Sequence, residues 1–395
     1  MRAWVGAVAA CCLLASATAR AQEANPEPAQ EPAEEPQQRK WHGQVAGGLD
    51  YVFNPEFEGF GFFLFQATGE GIVGGGDLRL YYNTDTVEVG LDRIPLADNL
   101  DLFIALRGEA FFSGLLRYYY VGGLRDSGFG FNASYIVLRN KLQWHFAPKN
   151  TFEVIADVRH WWFGDDSTSS AFTLPDNTWV FEPRVGYIFW NVDSPGGEYT
   201  ADKLFPRFEG HAFGLTVGID VRSDINVWGP PADQGRPNDP EKWILTINQW
   251  YRGGWQFVRW FRLEVQENAS WGENQDDITR QRVGGMNPYS IVVPGVPWAG
   301  ILSERLLIGQ ASAHFRVTKD RAQEIAVLVS GGAVNDPFRV GDLNDFGGIG
   351  GVALMTDLRW GPVSLYARLG YAFPVNWLAD DPFFSVFGGI GWDAF

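Results

Sequence analysis

The chain has 395 residues, with 47 acidic against 31 basic side chains, a formal net charge of −16 and two cysteines. Such an acidic balance excludes a nucleic-acid-binding surface, which needs lysine and arginine to neutralise phosphates. Aromatic residues make up 15 %, with 17 tryptophans, and glycine occurs 47 times, a composition that suits strands crossing a membrane interface better than it suits helical spans.

Arg2 is followed by an apolar Ala/Val/Leu/Cys run that ends at Ala19-Arg20-Ala21, a small-x-small cleavage site. Residues 1–21 read as a secretory signal peptide, so the mature chain is expected to start at Gln22. Val8-Ala9-Ala10-Cys11 also satisfies a lipoprotein box, but a cut there strands Leu13-Leu14 after it. With the preferred cut, Cys11 and Cys12 leave with the signal, and the mature chain holds no thiol for a disulfide or a thiolate metal site. Residues 22–40 repeat Glu and Pro and contain no Val, Ile, Leu, Met or aromatic side chain. They cannot bury a core and read as a disordered periplasmic linker, too short for a folded domain.

After residue 21 no apolar run approaches the ~20 residues of a membrane helix. From residue 41 to 395 the pattern instead has period 2, the strand period. In 152–162, Phe152, Val154, Ala156, Val158 and Trp162 oppose Glu153, Asp157 and Arg159. In 179–189, Trp179, Phe181, Val185, Tyr187 and Phe189 oppose Glu182, Arg184 and Gly186. In 211–221 an apolar row from His211 to Val221 opposes glycines, Thr216 and Asp220. The runs 307–317 and 363–373 repeat the scheme, the latter with Val363, Leu365, Ala367, Leu369, Tyr371 and Phe373 against Ser364, Tyr366, Arg368, Gly370 and Ala372.

Long connections (272–303, 335–345, 374–382) alternate with short ones (319–322, 361–362), as the outer loops and inner turns of an up-and-down barrel do. The fold class expected is all-β, a transmembrane antiparallel β-barrel of about 16 strands, with the count open up to 18. A soluble sandwich, which also alternates, is the alternative. Two places are ambiguous: 127–147 reads as one strand or as two joined at Asn140-Lys141, and 191–207 is long for the short-turn end. In the last run Phe384, Val386, Ile390 and Trp392 share a phase that Phe395 does not, which implies a bulge near Asp393-Ala394. A final aromatic on a closing strand reads as the insertion signal recognised by the barrel-assembly machinery.

From about residue 280 onward the order of elements resembles the barrel of the bacterial surface antigen superfamily, which includes the BamA and TamA assembly barrels and the two-partner-secretion translocators. A long loop begins Arg282-Val283-Gly284-Gly285-Met286-Asn287-Pro288-Tyr289, passes Gly295 and returns at Glu304. A strand ending Ser330-Gly331-Gly332 follows, then a glycine-led strand that turns at Gly361-Pro362, then the aromatic terminal strand. The resemblance implies that this sixth loop folds into the lumen and that a weak first-to-last-strand seam takes part in moving or inserting a polypeptide or lipid. The chain departs from the pattern in three ways. No Arg-Gly follows the paired glycines, Ser330 stands where an acid is expected, and the linker leaves no room for receiving domains. Losing arginine and acid together leaves no orphan charge, so the loop is expected to be pinned by packing and by hydrogen bonds near Ser330.

Enzymatic chemistry is not expected. His314 shares a polar face with Ser312, but such pairs arise readily in a large lumen, and no G-x-S-x-G elbow or metal-spaced His pair is present. No cofactor is expected. The partners implied are outer-membrane lipids and lipopolysaccharide, with a periplasmic protein as a further partner, for a monomeric barrel. Loop acids such as Asp165-Asp166 and Asp380-Asp381 either bridge divalent cations at that surface or only keep loops solvated. A passive pore whose lumen acids favour cations, and a structural or receptor barrel, are the competing functions. N-terminal sequencing of membrane-extracted protein is expected to begin at Gln22; an acylated Cys11 would overturn both the cut and the thiol-free reading.

Overall fold

The computed structural model describes residues 41–53, 57–83, 86–109, 119–121, 124–126, 132–164, 170–192, 208–232, 238–284, 291–296, 301–318, 323–335, 346–373 and 383–393. The expected signal and linker, the two Asp-Asp pairs and Phe395 lie outside the described residues.

The strands are β1 (Trp41–Phe53), β2 (Phe57–Val73), β3 (Gly76–Asn83), β4 (Thr86–Ala97), β5 (Leu100–Glu109), β6 (Tyr119–Val121) and β7 (Leu124–Asp126). Next come β8 (Asn132–Ala147), β9 (Asn150–Gly164), β10 (Thr178–Val192), β11 (Gly210–Arg222), β12 (Trp243–Val258), β13 (Phe261–Glu273), β14 (Gln281–Val283) and β15 (Ile301–Ser303). The chain ends with β16 (Arg305–Arg316), β17 (Gln323–Val334), β18 (Gly347–Trp360), β19 (Val363–Ala372) and β20 (Phe383–Asp393). Among the described residues sixteen of these close into one barrel in chain order, while β6–β7 and β14–β15 are hairpins set apart from it. Every neighbouring pair in the barrel is antiparallel.

Both ambiguities resolve. The 127–147 region holds one strand, β8, which pairs with β5 and β9 along its length. At 191–207, β10 and β11 pair directly, from Val192↔Gly210 to Val180↔Arg222, so no barrel strand stands between them among the described residues. That connection therefore lies at the end where two-residue turns at 74–75, 98–99, 148–149, 259–260 and 361–362 join the other strands. Its last residues enter the lumen. The Phe208 amide donates to Glu264 at 2.9 Å, and the Arg252 guanidinium sits 4.7 Å over the Phe208 ring. A side chain at Gly254 would collide with the Phe208 carbonyl, so glycine is what admits this segment.

The two faces of the wall follow the alternation of the sequence. Phe152, Val154 and Val158 of β9 point outward, as do Leu365 and Leu369 of β19, while Glu153, Asp157, Tyr366 and Arg368 are buried inside. On β20, Phe384, Val386, Ile390 and Trp392 all face out. Large apolar side chains on the outside are what lipid calls for; polar groups satisfied within the lumen are what closure calls for. β20 runs in register to Asp393, and the bulge expected beyond it falls outside the described residues.

The seam between first and last strands is not short of pairing, contrary to the weak seam expected. It runs in unbroken register from Gln44↔Asp393 to Phe53↔Phe384, as many pairs as β18 makes with β19. The physical reason is glycine. A Cβ at Gly48 would strike the Gly388 carbonyl and the Phe62 ring, so its absence lets Phe62 of β2 stack on Phe387 of β20 at 5.6 Å, over the seam. Arg368 of β19 and Asp50 of β1, 3.7 Å apart and both buried, reach across β20 in the same layer.

Val327 faces outward near the middle of β17. Val327→Arg is expected to destabilise the inserted barrel by about 2–4 kcal/mol, the cost of a basic side chain on the lipid face at mid-bilayer. Denaturant unfolding from lipid vesicles measures it, and a cost near zero would mean that this face does not meet hydrocarbon.

Candidate functional site: the sixth loop and the lumen

The connection between β13 and β16 is built in two parts, an ionic root and an apolar tip. At the root, Asp276 accepts two hydrogen bonds from the Arg222 guanidinium at 2.7 and 2.8 Å, one from Trp228 Nε1 at 3.1 Å and one from the Thr279 hydroxyl at 2.9 Å. Burial pushes the Asp276 carboxyl up, but the Arg222 charge and these donors prevail and hold it below the usual carboxylate range. Asp277 accepts from Asn238 at 2.9 Å and pairs with Arg280, which also donates to Glu304 at 3.0 Å as the chain returns to the wall. These contacts tie the sixth loop to the segment between β11 and β12, which meets the segment after β9 through Thr173↔Gly229 and Phe172–Trp228. Ile278 completes this apolar layer against Tyr135 and Trp161 of the wall.

From the root the chain forms the β14–β15 hairpin, joined to the wall where Gln281 donates to Asn248. Val293-Pro294-Gly295-Val296 then makes a tight turn, with the Val296 amide on the Val293 carbonyl at 3.1 Å and Gly295 at φ +84°. Proline followed by a positive-φ glycine is the type II arrangement. The turn presses on the inner face of β18, β19 and β20. The Gly295 amide donates to the Ser385 hydroxyl at 3.1 Å, Gln310 donates to the Val292 carbonyl, and side chains at Gly351 or Gly370 would collide with Pro294. Val283, Val293, Val296 and Ile301 join Ile308, Val334, Ile349, Phe383 and, from β1, Val52 in one buried cluster.

The residues predicted for this site fall as follows. Arg282 lies in β14 and, among the described residues, forms no ion pair; it feels the charges of Glu109 and Asp277. Gly284, at φ +105°, donates its amide to the Ile291 carbonyl at 2.9 Å. Gly295 makes the turn. Gly285, Pro288 and Tyr289 lie outside the described residues. Ser330 points into the lumen and is buried, and Gly331 pairs with Gly309 and Gly350.

Two corrections follow. Of the hydrogen bonds that hold the tip, one is donated by Gln310, the cross-strand neighbour of Ser330, and the other runs from Gly295 to Ser385 on β20, whereas the Ser330 hydroxyl itself has no hydrogen-bond partner. Ion pairs do hold the loop, but at its root rather than its tip. Sequence reasoning missed Arg222, Asp276, Arg280 and Glu304. The only local sign was Asp277 three residues before Arg280; the other partners are brought together by closure.

The lumen wall is charge-compensated. Glu88 is flanked by Arg139 at 2.9 Å, Arg79 at 3.7 Å and Arg107 at 3.9 Å. Arg184 bridges Glu182 and Asp220, each at 2.8 Å, and Asp157 lies 3.7 Å from Arg139. The acids expected to favour cations thus each face a guanidinium. Among the described residues no three His, Cys, Asp or Glu side chains are placed to hold a metal ion.

No protein-family model matches the chain, and no curated protein matches it in sequence. Its fold is similar to several solved structures. One is BamA from Haemophilus ducreyi lacking POTRA domains 1–3, at 11 % identity over 89 % of this chain and 70 % of that one, with a TM-score of 0.56. Others are CdiB from Escherichia coli (11 % identity, 92 % of this chain, 64 % of that one, TM-score 0.55) and CdiB from Acinetobacter baumannii (9 %, 89 %, 60 %, 0.54). The chain thus spans under two thirds of either CdiB. At such identities the likeness is one of fold: a closed sixteen-stranded barrel of the BamA and CdiB kind.

Asp276→Asn leaves Arg222 buried without its countercharge, a loss of about 3–5 kcal/mol, and is expected to open the loop root to protease at neutral pH. In the native chain the folded Asp276 value is depressed, so its contribution is complete above the ordinary carboxylate range near pH 4 and is lost only as pH falls through the lower folded value. Pepsin digestion along a descending pH series reads this. Protection that collapses already at about pH 4–5 would place retention on an ordinary carboxylate instead.

Proposed function

We propose that this chain is an outer-membrane barrel of the BamA/TamA-like surface antigen type, concerned with moving or inserting a polypeptide or lipid at the outer membrane. The observation that carries the reading is the sixth loop, whose tip occupies the lumen and packs on β18, β19 and β20 beside the closing seam. A solvated outer loop has no reason to bury Val293, Val296 and Ile301. A loop that braces the inner wall at the seam is placed to couple cargo in the lumen to the strands that would part.

On this reading the chain sits in the outer membrane among its lipids and lipopolysaccharide, and cargo is received through a periplasmic partner. Phe395, with Phe384, Val386, Ile390 and Trp392, forms the signal by which the assembly machinery inserts the barrel. The compensated lumen charges speak against a cation-selective pore, since Glu88, Glu182 and Asp220 each already face an arginine.

The test is conductance in a planar bilayer before and after replacing residues 288–297 by a Gly/Ser linker of equal length. The native barrel is expected to stay closed or to flicker, and the replacement to give steady conductance. A steady open pore in the native protein, unchanged by the replacement, would favour passive transport and remove the mechanistic role of the loop.

A further inference from the structure

Beneath the tip of the sixth loop, towards the short-turn end, lies a lumen cavity of about 130 Å³ bounded by β13, β16, β17, β18, β19 and Val292. Three of its residues are placed as a nucleophile, a base and the group that orients the base. Ser312 and His314 are two apart on β16 and so share its inward face; Ser312 Oγ lies 2.8 Å from His314 Nε2. On the other side of the imidazole, His314 Nδ1 lies 3.4 Å from Glu324 Oε2. Glu324 reaches that position because β17 pairs Arg316↔Glu324 and His314↔Ala326, setting Glu324 one diagonal step from the histidine. Sequence alone showed only the Ser-x-His spacing. The carboxylate facing the other ring nitrogen comes from the register.

We infer that Ser312, His314 and Glu324 form a serine-hydrolase site inside the barrel, acting on a small carboxylic ester. This goes beyond the translocation reading and does not depend on it. The carboxylate opposite Nδ1 holds the ring proton there, leaving Nε2 to accept the Ser312 proton, which is the tautomer such a base requires. Arg262 donates to Glu324 at 2.8 Å and Arg316 at 3.4 Å, fixing the carboxylate where it faces the ring. Leu328, Met355 and Val292 give the cavity an apolar side for an acyl group, and Gln266 and Arg262 line it from β13 as the donors available to an oxyanion.

The chemistry balances with water as the only co-reactant. Ser312 Oγ bonds to the acyl carbon as its proton passes to Nε2. The acyl C–O bond then breaks, and the departing alkoxide takes that proton and leaves as the alcohol. Water next attacks the acyl-serine, giving a proton to Nε2; that proton returns to Oγ as the carboxylic acid is released. Ser312 and His314 are the catalytic residues, and Glu324 is a positioning residue.

The experiment uses the full chain purified in detergent, with a fluorophosphonate probe for covalent labelling and p-nitrophenyl butyrate for turnover. Labelling is expected at Ser312, located by peptide mass, with butyrate hydrolysis that rises with pH as an imidazole loses its proton. S312A should abolish both, and H314Q should lower both by about a hundredfold or more. E324Q should lower the rate and move the midpoint of the pH–rate curve, and E324D should partly restore it, effects that a merely structural contact would not produce. Heat-modifiable migration on gels confirms that each variant forms a closed barrel. A folded native protein that neither takes the probe nor hydrolyses the ester overturns the inference. So does a closed S312A barrel that is labelled and active like the native chain. Because conductance is not the readout, failure here leaves the translocation reading standing, and the reverse also holds.

Discussion

The structure depends on one constraint: in hydrocarbon, every backbone N–H and C=O must find its partner within the protein. A single sheet satisfies this only by closing on itself, so the β1–β20 pairing is the condition for all the rest. Closure dictates the two-faced strands, with Val and Leu outward and acids and arginines inward. It also explains the glycines at the seam. Gly48 and Gly389 face each other across it, and the space they leave is covered from within by the Phe62–Phe387 stack.

Closing sixteen strands creates an interior that is polar and too wide for side chains from opposite walls to fill. Two devices occupy it here. Along the wall, neighbouring strands place guanidiniums against carboxylates, so that Glu182, for example, lies between Arg159 at 2.9 Å and Arg184 at 2.8 Å. Breaking one such pair would leave a buried charge uncompensated, which costs more than the pair itself contributes. Across the mouth and into the lumen, loops supply the missing volume: the segments after β9, β11 and β13 pack on one another, and the sixth loop lays apolar side chains on the inner face of β16 to β20 and β1.

The sixth loop is anchored unequally at its two parts. The root is held by buried, charge-assisted hydrogen bonds around Asp276, Asp277 and Arg280, each of which would be expensive to leave unmade. The tip is held by apolar contact and two hydrogen bonds, one from its own Gly295 amide and one from Gln310 to its Val292 carbonyl. Burying a valine or isoleucine side chain stabilises by about 1.5–3 kcal/mol, and such contacts can be given up one at a time. The tip rests on β18 to β20 and against Val52 of β1, beside the seam.

The sequence by itself determined the class of fold and the two faces of the wall, because strand periodicity is local. Leu365 and Leu369 on one face with Ser364, Tyr366 and Arg368 on the other could be read residue by residue. The sequence also marked 282–297, with Ile291-Val292-Val293 in its middle, as a stretch too apolar for a freely solvated loop. Only the tertiary structure decided which residues meet across the lumen. Arg222 and Asp276 are joined through the packing of separate loops. The Gly295 amide meets Ser385 of β20, and Gln310, the cross-strand neighbour of Ser330, meets the Val292 carbonyl, because closure brings β16 and β20 to the same turn. The seam is paired without a break because Gly48 and Phe387, far apart in the chain, are neighbours once the ring closes. His314 and Glu324 face one another through the β16–β17 register. Periodicity sets which way a side chain points, but ring closure sets what it points at, and that depends on strand order and register that no local stretch encodes.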